Sequence, residues 1–198
     1  MKKANSFLGN EIVLGLLIAL LSVLTAVASF QGALADGAQN DFEIKGMKNL
    51  NDGNAEYLTA NQEITQDYSY YDNWYINQEI NPEIADYFQV QFSDELLTSI
   101  KASGNENPFN EAYYTTKYEL PNQYFEESDV NFETANNWND RGDRLQLILT
   151  ILAIGLAFAA WASLNREESN LRGFFSLLAI ISLVTGLVVY LFFLPIVA

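Results

Sequence analysis

The sequence predicts an all-α integral membrane protein with three transmembrane helices and a helical, coiled-coil-like ectodomain. Three apolar stretches, 12–35, 145–164 and 174–197, contain no charged residue, and each is close to the roughly 20 residues with which a helix crosses a bilayer. A heptad register begins inside the first stretch and continues well beyond it. The polar segment 36–144 separates the first stretch from the second, so we expect it to form the ectodomain.

The first 11 residues are interpreted as a cytoplasmic N-terminus that precedes an uncleaved anchor. Met1-Lys2-Lys3 before an apolar run is typical of a secretory signal. The run over 12–35 is, however, longer than the roughly 7–15 apolar residues of a signal peptide. We therefore expect it to remain as transmembrane helix 1.

The number of basic residues does not predict the orientation of the chain in the membrane, because four lie near the helix ends on each side. Lys2 and Lys3 favour a cytoplasmic N-terminus. The ectodomain would then lie outside the cytoplasm and the turn over 165–173 inside it. This topology predicts a multi-pass protein of the plasma membrane in a bacterial cell envelope, with a periplasmic or extracellular ectodomain.

The predicted ectodomain is strongly acidic. It contains 22 of the 25 acidic residues of the chain and 6 of its 10 basic residues. Such a surface repels nucleic acid and anionic lipid headgroups, and it attracts cations and basic partners. We therefore predict no nucleic-acid partner, membrane lipid around the apolar helices, and a solvated ectodomain.

The chain contains no Cys and no His, which excludes disulfides, thiol catalysis, imidazole bases and the common zinc sites. Two polar clusters, 49–54 and 136–143, hold several oxygen ligands of the kind that Ca²⁺ prefers. Neither has the alternating spacing or the terminal Glu of an EF-hand loop, so both are interpreted as solvated helix boundaries. The sequence thus predicts no enzyme, no cofactor and no metal site.

One heptad register runs through transmembrane helix 1 and into the ectodomain. Small residues occupy it in the apolar stretch, and aromatic and aliphatic residues occupy much of it in the ectodomain. This pattern is typical of a helix that packs against other helices along its length. We call this set of positions the predicted seam. Its predicted interface residues are Ala19, Ser22, Ala26, Ser29, Ala33, Tyr57, Ile64, Tyr68, Tyr71 and Tyr75.

The ectodomain is expected to contain a long helix over 36–76, a small tip over 82–120 and a return helix over 121–144. The long helix is weakest at Asp52-Gly53, because Gly in a helix costs up to about 1 kcal/mol relative to Ala. The alternative to one long helix is therefore two helices, with the kink or break at this point.

Within the tip, Asn81-Pro82 and Ser93 are typical helix starts, and Gly104 is a typical helix end. The residues that follow, 105–120, have the composition of a loop.

Transmembrane helices 2 and 3 each have a stripe of small residues, which lets backbones approach closely in lipid. The turn that joins the two helices is so short that they form an antiparallel hairpin. The stripes predict internal packing of the three helices, an interface between copies, or both. They consist of Gly155, Ala159 and Ser163 on one helix and of Ala179, Ser182 and Gly186 on the other.

An aromatic run lies near the end of the long helix. Such side chains bind sugars or cations by stacking and cation–π contact, or they fill a helix interface. Three of the five lie on the predicted seam, which favours a contact with another protomer or a partner protein. The run consists of Tyr68, Tyr70, Tyr71, Trp74 and Tyr75.

Two segments carry a resemblance to known proteins: Ala55-Glu56-Tyr57-Leu58-Thr59-Ala60-Asn61-Gln62 and Leu156-Ala157-Phe158-Ala159-Ala160-Trp161-Ala162-Ser163. With the layout of the apolar stretches, they make the chain similar to a family of uncharacterised bacterial three-span membrane proteins. The resemblance implies one anchor, a helical exposed domain and a C-terminal hairpin. It implies no activity and no site residues.

The sequence favours a structural or accessory membrane protein that self-associates or packs as a small subunit of a larger membrane assembly. One alternative is a binding module whose ectodomain captures a cation, a sugar or a basic partner. The other is an oligomeric pore, which Ser22, Thr25 and Ser29 would line.

Overall fold

A computed structural model describes residues 10–167 and 169–197. Lys2 and Lys3, on which the predicted orientation rests, lie outside the described residues, as does most of the predicted cytoplasmic N-terminus. The described residues contain helices and no strand. The helices are α1 (Glu11–Asn77), α2 (Pro82–Gln89), α3 (Asp94–Ser103), α4 (Glu111–Lys117), α5 (Glu119–Leu164) and α6 (Asn170–Phe192).

Three of the helices are long and apolar enough to cross a membrane. Their most apolar windows have a mean hydropathy of 2.6 in α1, 2.3 in α5 and 2.4 in α6. The prediction of an all-α fold is confirmed, and so is the prediction of three apolar helices that are long enough to cross a membrane.

The chain divides into two compact units. The described residues up to Glu43, together with those from Phe132 onward, form one of them, which we call the apolar unit. Ile44–Asn131 forms the other, which we call the acidic unit because it has 16 acidic residues and 4 basic ones. Helices α1 and α5 contribute residues to each unit.

The core of the apolar unit is built on a seven-residue period in α1. Leu14, Leu21, Ala28 and Ala35 are almost completely buried. They belong to one apolar cluster with buried residues of α5 and α6. A spacing of seven keeps side chains on one face of a helix over several turns, so this face of α1 is used for internal packing.

The connection between α5 and α6 is short. The side chain of Ser169 accepts a hydrogen bond from the backbone N–H of Leu171 at 3.2 Å and so caps α6. Arg172, in the first turn of α6, donates from Nη1 to the carbonyl oxygen of Asn165 at 3.0 Å. This bond ties the start of α6 to the end of α5. Helix α6 therefore begins inside the predicted turn.

Most of the small residues in the predicted stripes lie inside the apolar unit. A Cβ placed on Gly155 would be 2.8 Å from the Cβ of Ser182 and 3.1 Å from Cδ2 of Leu21. Ala159 and Ala179 are completely buried. Internal packing therefore accounts for Gly155, Ala159, Ala179 and Gly186, whereas Ser163 is exposed.

Helix α1 is continuous through Gly53, so the alternative of two helices that break at Asp52-Gly53 is wrong. A Cβ on Gly53 would be 2.8 Å from Cε1 of Phe125 and 3.2 Å from the Cβ of Tyr124. Gly53 is thus used for close approach between helices and not for backbone flexibility. The packing of Phe125 offsets the low helix propensity of glycine.

The predicted seam differs in phase from the stripe that α1 buries in the acidic unit. Tyr68 and Tyr75 each follow a buried residue by one position, whereas Ile64 is itself buried and Tyr71 is half-buried. The prediction favoured large side chains, whereas the buried stripe consists mostly of small ones where α5 packs. This stripe consists of Gly46, Gly53, Ala60, Asp67 and Trp74.

Local capping fixes the short helices of the acidic unit. The side chain of Asn81 accepts from Ile84 N–H, and that of Ser93 accepts from Leu96 N–H, as the sequence predicts. Helix α3 ends at Gly104, whose φ is 71°.

The expected loop over 105–120 is wrong in its second half, because Glu111–Lys117 is helical. The side chain of Asn110 accepts from Tyr113 N–H at 3.1 Å and caps this helix. Helix α5 also begins two residues before the predicted start at Pro121. A proline is tolerated in the first turn because its missing N–H has no intrahelical partner there.

Substitution of Gly155 by Ala is expected to destabilise the apolar unit by about 1–3 kcal/mol, because the added methyl group overpacks the contact with Ser182. Gly15→Ala is the matched control, since a Cβ at Gly15 meets no atom within 4 Å. Tryptophan fluorescence during SDS titration of the detergent-solubilised chain measures the difference. Equal stability of the two variants would contradict this account of the helix contact.

Candidate functional site

The most polar buried site in the acidic unit is centred on Asp67 of α1. Asp67 is 2% exposed. One carboxylate oxygen accepts from Ser93 N–H at 3.0 Å, and the other accepts from Ser93 Oγ at 2.5 Å and from Tyr113 Oη at 2.7 Å. Asp67 thus binds the cap of α3 and the side of α4 to α1.

Lys117, at the end of α4, is the cationic residue of this site. It is 8% exposed, and its Nζ lies 3.0 Å from Oε2 of Glu63, 2.9 Å from Oε2 of Glu95 and 3.8 Å from Oδ2 of Asp67. The same Nζ lies 5.9 Å from the ring centroid of Tyr113. One ammonium group therefore faces three carboxylates from two helices. We call Asp67, Ser93, Tyr113, Lys117, Glu63 and Glu95 the polar network.

The network shifts the pKa of its members in the directions that stabilise their present charge. Burial by itself lowers the pKa of Lys117, but the hydrogen bonds to Glu95 and Glu63 outweigh burial and leave that pKa raised. The hydrogen bond from Lys117 lowers the pKa of Glu95. Burial and then the hydrogen bond to Asp67 raise the pKa of Tyr113. Lys117 thus stays cationic, and Tyr113 stays a neutral donor.

Aromatic side chains pack beside the network. The ring of Tyr71 contacts Trp74 at 5.3 Å, Phe109 at 5.6 Å and Phe92 at 6.0 Å between centroids. Its hydroxyl donates to the carbonyl oxygen of Asn105 at 2.9 Å. The rings of Tyr68 and Phe109 stack at 3.9 Å. Much of the aromatic run is therefore engaged in packing the short helices against α1.

The predicted interface residues of the acidic unit fall into two groups. Ile64 is buried in the aromatic cluster, and Tyr71 is half-buried. Tyr57, Tyr68 and Tyr75 are exposed, although Tyr57 stacks on Tyr118 at 5.1 Å and Tyr68 stacks on Phe109. The set therefore does not form one continuous face.

In the apolar unit the predicted interface residues behave alike. All five are exposed and lie outside the buried stripe of α1. They are Ala19, Ser22, Ala26, Ser29 and Ala33.

Two of these residues, Ser29 and Ala33, line a groove of about 210 Å³ together with Gly32, Asp36 and Gly142. The groove lies between α1 and α5.

Sequence reasoning missed the polar network. Asp67 and Lys117 are separated by 50 positions, and no motif links them. One signal was present: Asp67 is the single charged residue in the series of Gly46, Gly53, Ala60, Asp67 and Trp74. A charge in a buried stripe requires a partner.

The polar network has the chemistry of a structural clamp. Its carboxylates already accept bonds from donors of the same unit. Within residues 10–167 and 169–197, no group of three or more carboxylates is arranged to hold a metal ion. The expectation that the protein is not an enzyme stays a prediction.

No family model matches the chain, and comparisons with curated proteins and with solved structures likewise find no match. The resemblance to a family of bacterial three-span membrane proteins therefore stays a prediction.

Substitution of Asp67 by Ala is expected to destabilise the acidic unit by about 3 kcal/mol or more, because it leaves Tyr113 and Ser93 without an acceptor and weakens the pairing of Lys117. Asp72→Ala is the control, since Asp72 lies on the same helix and is exposed. Thermal unfolding followed by near-ultraviolet circular dichroism measures both. Similar melting temperatures would contradict the clamp.

Alkaline pH is expected to destabilise the acidic unit. The hydrogen bond between the hydroxyls of Tyr68 and Tyr114 raises the pKa of Tyr114 from 10.0 to about 12. A group whose pKa is raised by folding stabilises the fold below its unfolded pKa and loses this effect as pH rises through its folded pKa. Lys117 and Tyr113 shift in the same direction.

The melting temperature should therefore fall between about pH 10 and pH 12. Tyr114→Phe, which removes one of these titrations, should show a smaller fall than the parent chain. Tyrosinate absorbance recorded during the same melts identifies the ionisation. A melting temperature that is constant across this range would contradict the assignment.

Proposed function

We propose that the protein is a structural or accessory membrane protein that self-associates, or packs as a small subunit of a larger membrane assembly, through the exposed small-residue face of α1. In this proposal α1, α5 and α6 cross the plasma membrane. The N-terminus is cytoplasmic, and the acidic unit forms an ectodomain outside the cytoplasm.

The surface of the apolar unit supports residence in a membrane. Large apolar side chains are exposed along α1, including Ile12, Leu16, Val23 and Phe30, which are 61–74% exposed. Exposed apolar surface of this extent is unusual on a soluble protein. A bilayer covers such side chains without a partner protein.

The small-residue face of α1 carries the proposal of self-association. Ala19, Ser22, Ala26, Ser29 and Ala33 are exposed, whereas the internal stripe of α1 is occupied by other residues. In lipid, helices associate by close van der Waals packing, and small residues permit it. The internal packing of the unit therefore does not use this face, which is open to a helix of another chain.

A groove lies at one end of this face, where it can receive a side chain of the partner helix. Ser29 and Ala33 line it with Gly32 and Gly142, and a Cβ on Gly32 meets only Leu145, at 3.9 Å. A side chain of an approaching helix can enter between α1 and α5 at this point. The groove would thus set the register of the contact.

The polar network supports a structural role for the acidic unit. Its charged groups fasten α3 and α4 to α1 and leave the outer surface of the unit anionic. An anionic outer surface keeps copies soluble and apart outside the bilayer. Contacts between copies would therefore concentrate in the apolar unit.

The double variant Ala26→Leu and Ala33→Leu tests this proposal, because the larger side chains prevent close approach at the α1 face. Self-association should weaken about tenfold or more, which corresponds to about 1.4 kcal/mol. Light scattering after gel filtration, over a range of protein-to-detergent ratios, gives the mass of the assembly.

Ala157→Leu is the control, since Ala157 is exposed on α5 and is not one of the five residues of this face. It should leave the mass unchanged. A parent chain that is monomeric at every ratio and purifies without a partner would overturn the proposal.

A further inference from the structure

A strip of large apolar side chains is exposed on the acidic unit, away from the residues of the polar network. Ile80 is 76% exposed, Ile84 42%, Tyr87 63% and Val90 75%. These residues are spaced by four, three and three positions. Ile80 lies in the turn before α2, Ile84 and Tyr87 lie on α2, and Val90 directly follows it. We call these four residues the apolar strip.

The fold holds the apolar strip in its exposed position. Helix α2 buries Ala85 and half-buries Phe88, whose ring lies 6.4 Å from that of Tyr70. The Asn81 side chain accepts from Ile84 N–H, and Pro82 occupies the first turn. Because one side of α2 is packed and its start is capped, exposure of the strip is a property of the folded unit.

The charged residues near the strip in sequence are of one sign. Residues 49–100 contain 10 acidic residues and no basic residue. Glu79, Glu83 and Asp86 alternate with the apolar residues of the strip. An apolar surface rimmed by carboxylates repels anionic lipid and repels a second copy of itself, and it attracts a ligand that is both apolar and cationic.

We propose that the apolar strip is a docking surface for an amphipathic, basic segment of a partner protein. Apolar side chains of that segment pack on Ile80, Ile84, Tyr87 and Val90, and its Lys or Arg side chains pair with Glu79, Glu83 and Asp86. A helix-on-helix contact of this kind uses side chains at spacings of three and four. This inference concerns different residues from those of the α1 face and goes beyond self-association.

A pair of synthetic helical peptides tests the inference. One contains Leu on one face and Lys on the other, and the second has the same length with Glu in place of Lys. Fluorescence anisotropy measures their binding to the full chain in nanodiscs of zwitterionic lipid, with empty nanodiscs as the blank. The Leu–Lys peptide should bind saturably, with an affinity at least tenfold above that of the Leu–Glu peptide.

Variants locate the binding surface. Ile80→Ser combined with Tyr87→Ser should weaken binding of the Leu–Lys peptide at least tenfold. Leu58→Ser is the matched control, because Leu58 is 61% exposed in the same unit, and it should change binding less than twofold. The pair Glu83→Gln and Asp86→Asn alters no buried contact and should reduce both the affinity and its dependence on salt.

Several outcomes would overturn the inference. These are absence of saturable binding, equal binding of the two peptides, equal binding to the parent chain and the serine variant, and loss of binding in the Leu58→Ser control alone. Co-sedimentation of the chain with anionic vesicles through the strip would assign the surface to lipid instead. Association of the acidic unit with itself, abolished by the serine substitutions, would assign it to a second copy.

Discussion

Close approach of α5 to α1 is the constraint on which the packing of each unit depends. In the acidic unit, Phe125 lies against Gly53, and Ser128 donates to the carbonyl oxygen of Gly46 at 2.8 Å. In the apolar unit, a Cβ on Gly142 would lie 3.8 Å from that of Ala35. Small residues at these points let the helix backbones come close enough for dispersion contacts to accumulate. Larger residues would separate the helices and open the cores.

The polar network attaches the short helices α3 and α4 to the long helix α1. Helices of 7 to 10 residues, such as α3 and α4, are not stable on their own. Their apolar contacts with α1 are non-directional, so they permit sliding. Asp67 and Lys117 add bonds of fixed length and direction, and a buried charge without its partner is costly. The network therefore selects one arrangement of these helices.

The two surfaces on which the proposals rest differ in chemistry. The face of α1 formed by Ala19, Ser22, Ala26, Ser29 and Ala33 has small, uncharged side chains, on which a helix can pack closely in lipid. The residues of the apolar strip alternate in sequence with carboxylates, which attract a cationic segment. The partners proposed for the two surfaces therefore differ in chemistry as well.

Features that depend on neighbours close along the chain can be predicted from the amino-acid sequence alone. The apolar lengths of α1, α5 and α6, the caps at Asn81 and Ser93, and the seven-residue period of α1 follow from local composition and spacing. The phase of that period, the close approach of α5 at Gly53 and the pairing of Asp67 with Lys117 become apparent only in the folded chain. These depend on residues of α4 and α5 that are distant in sequence, and the size of a side chain alone does not reveal which face they will cover.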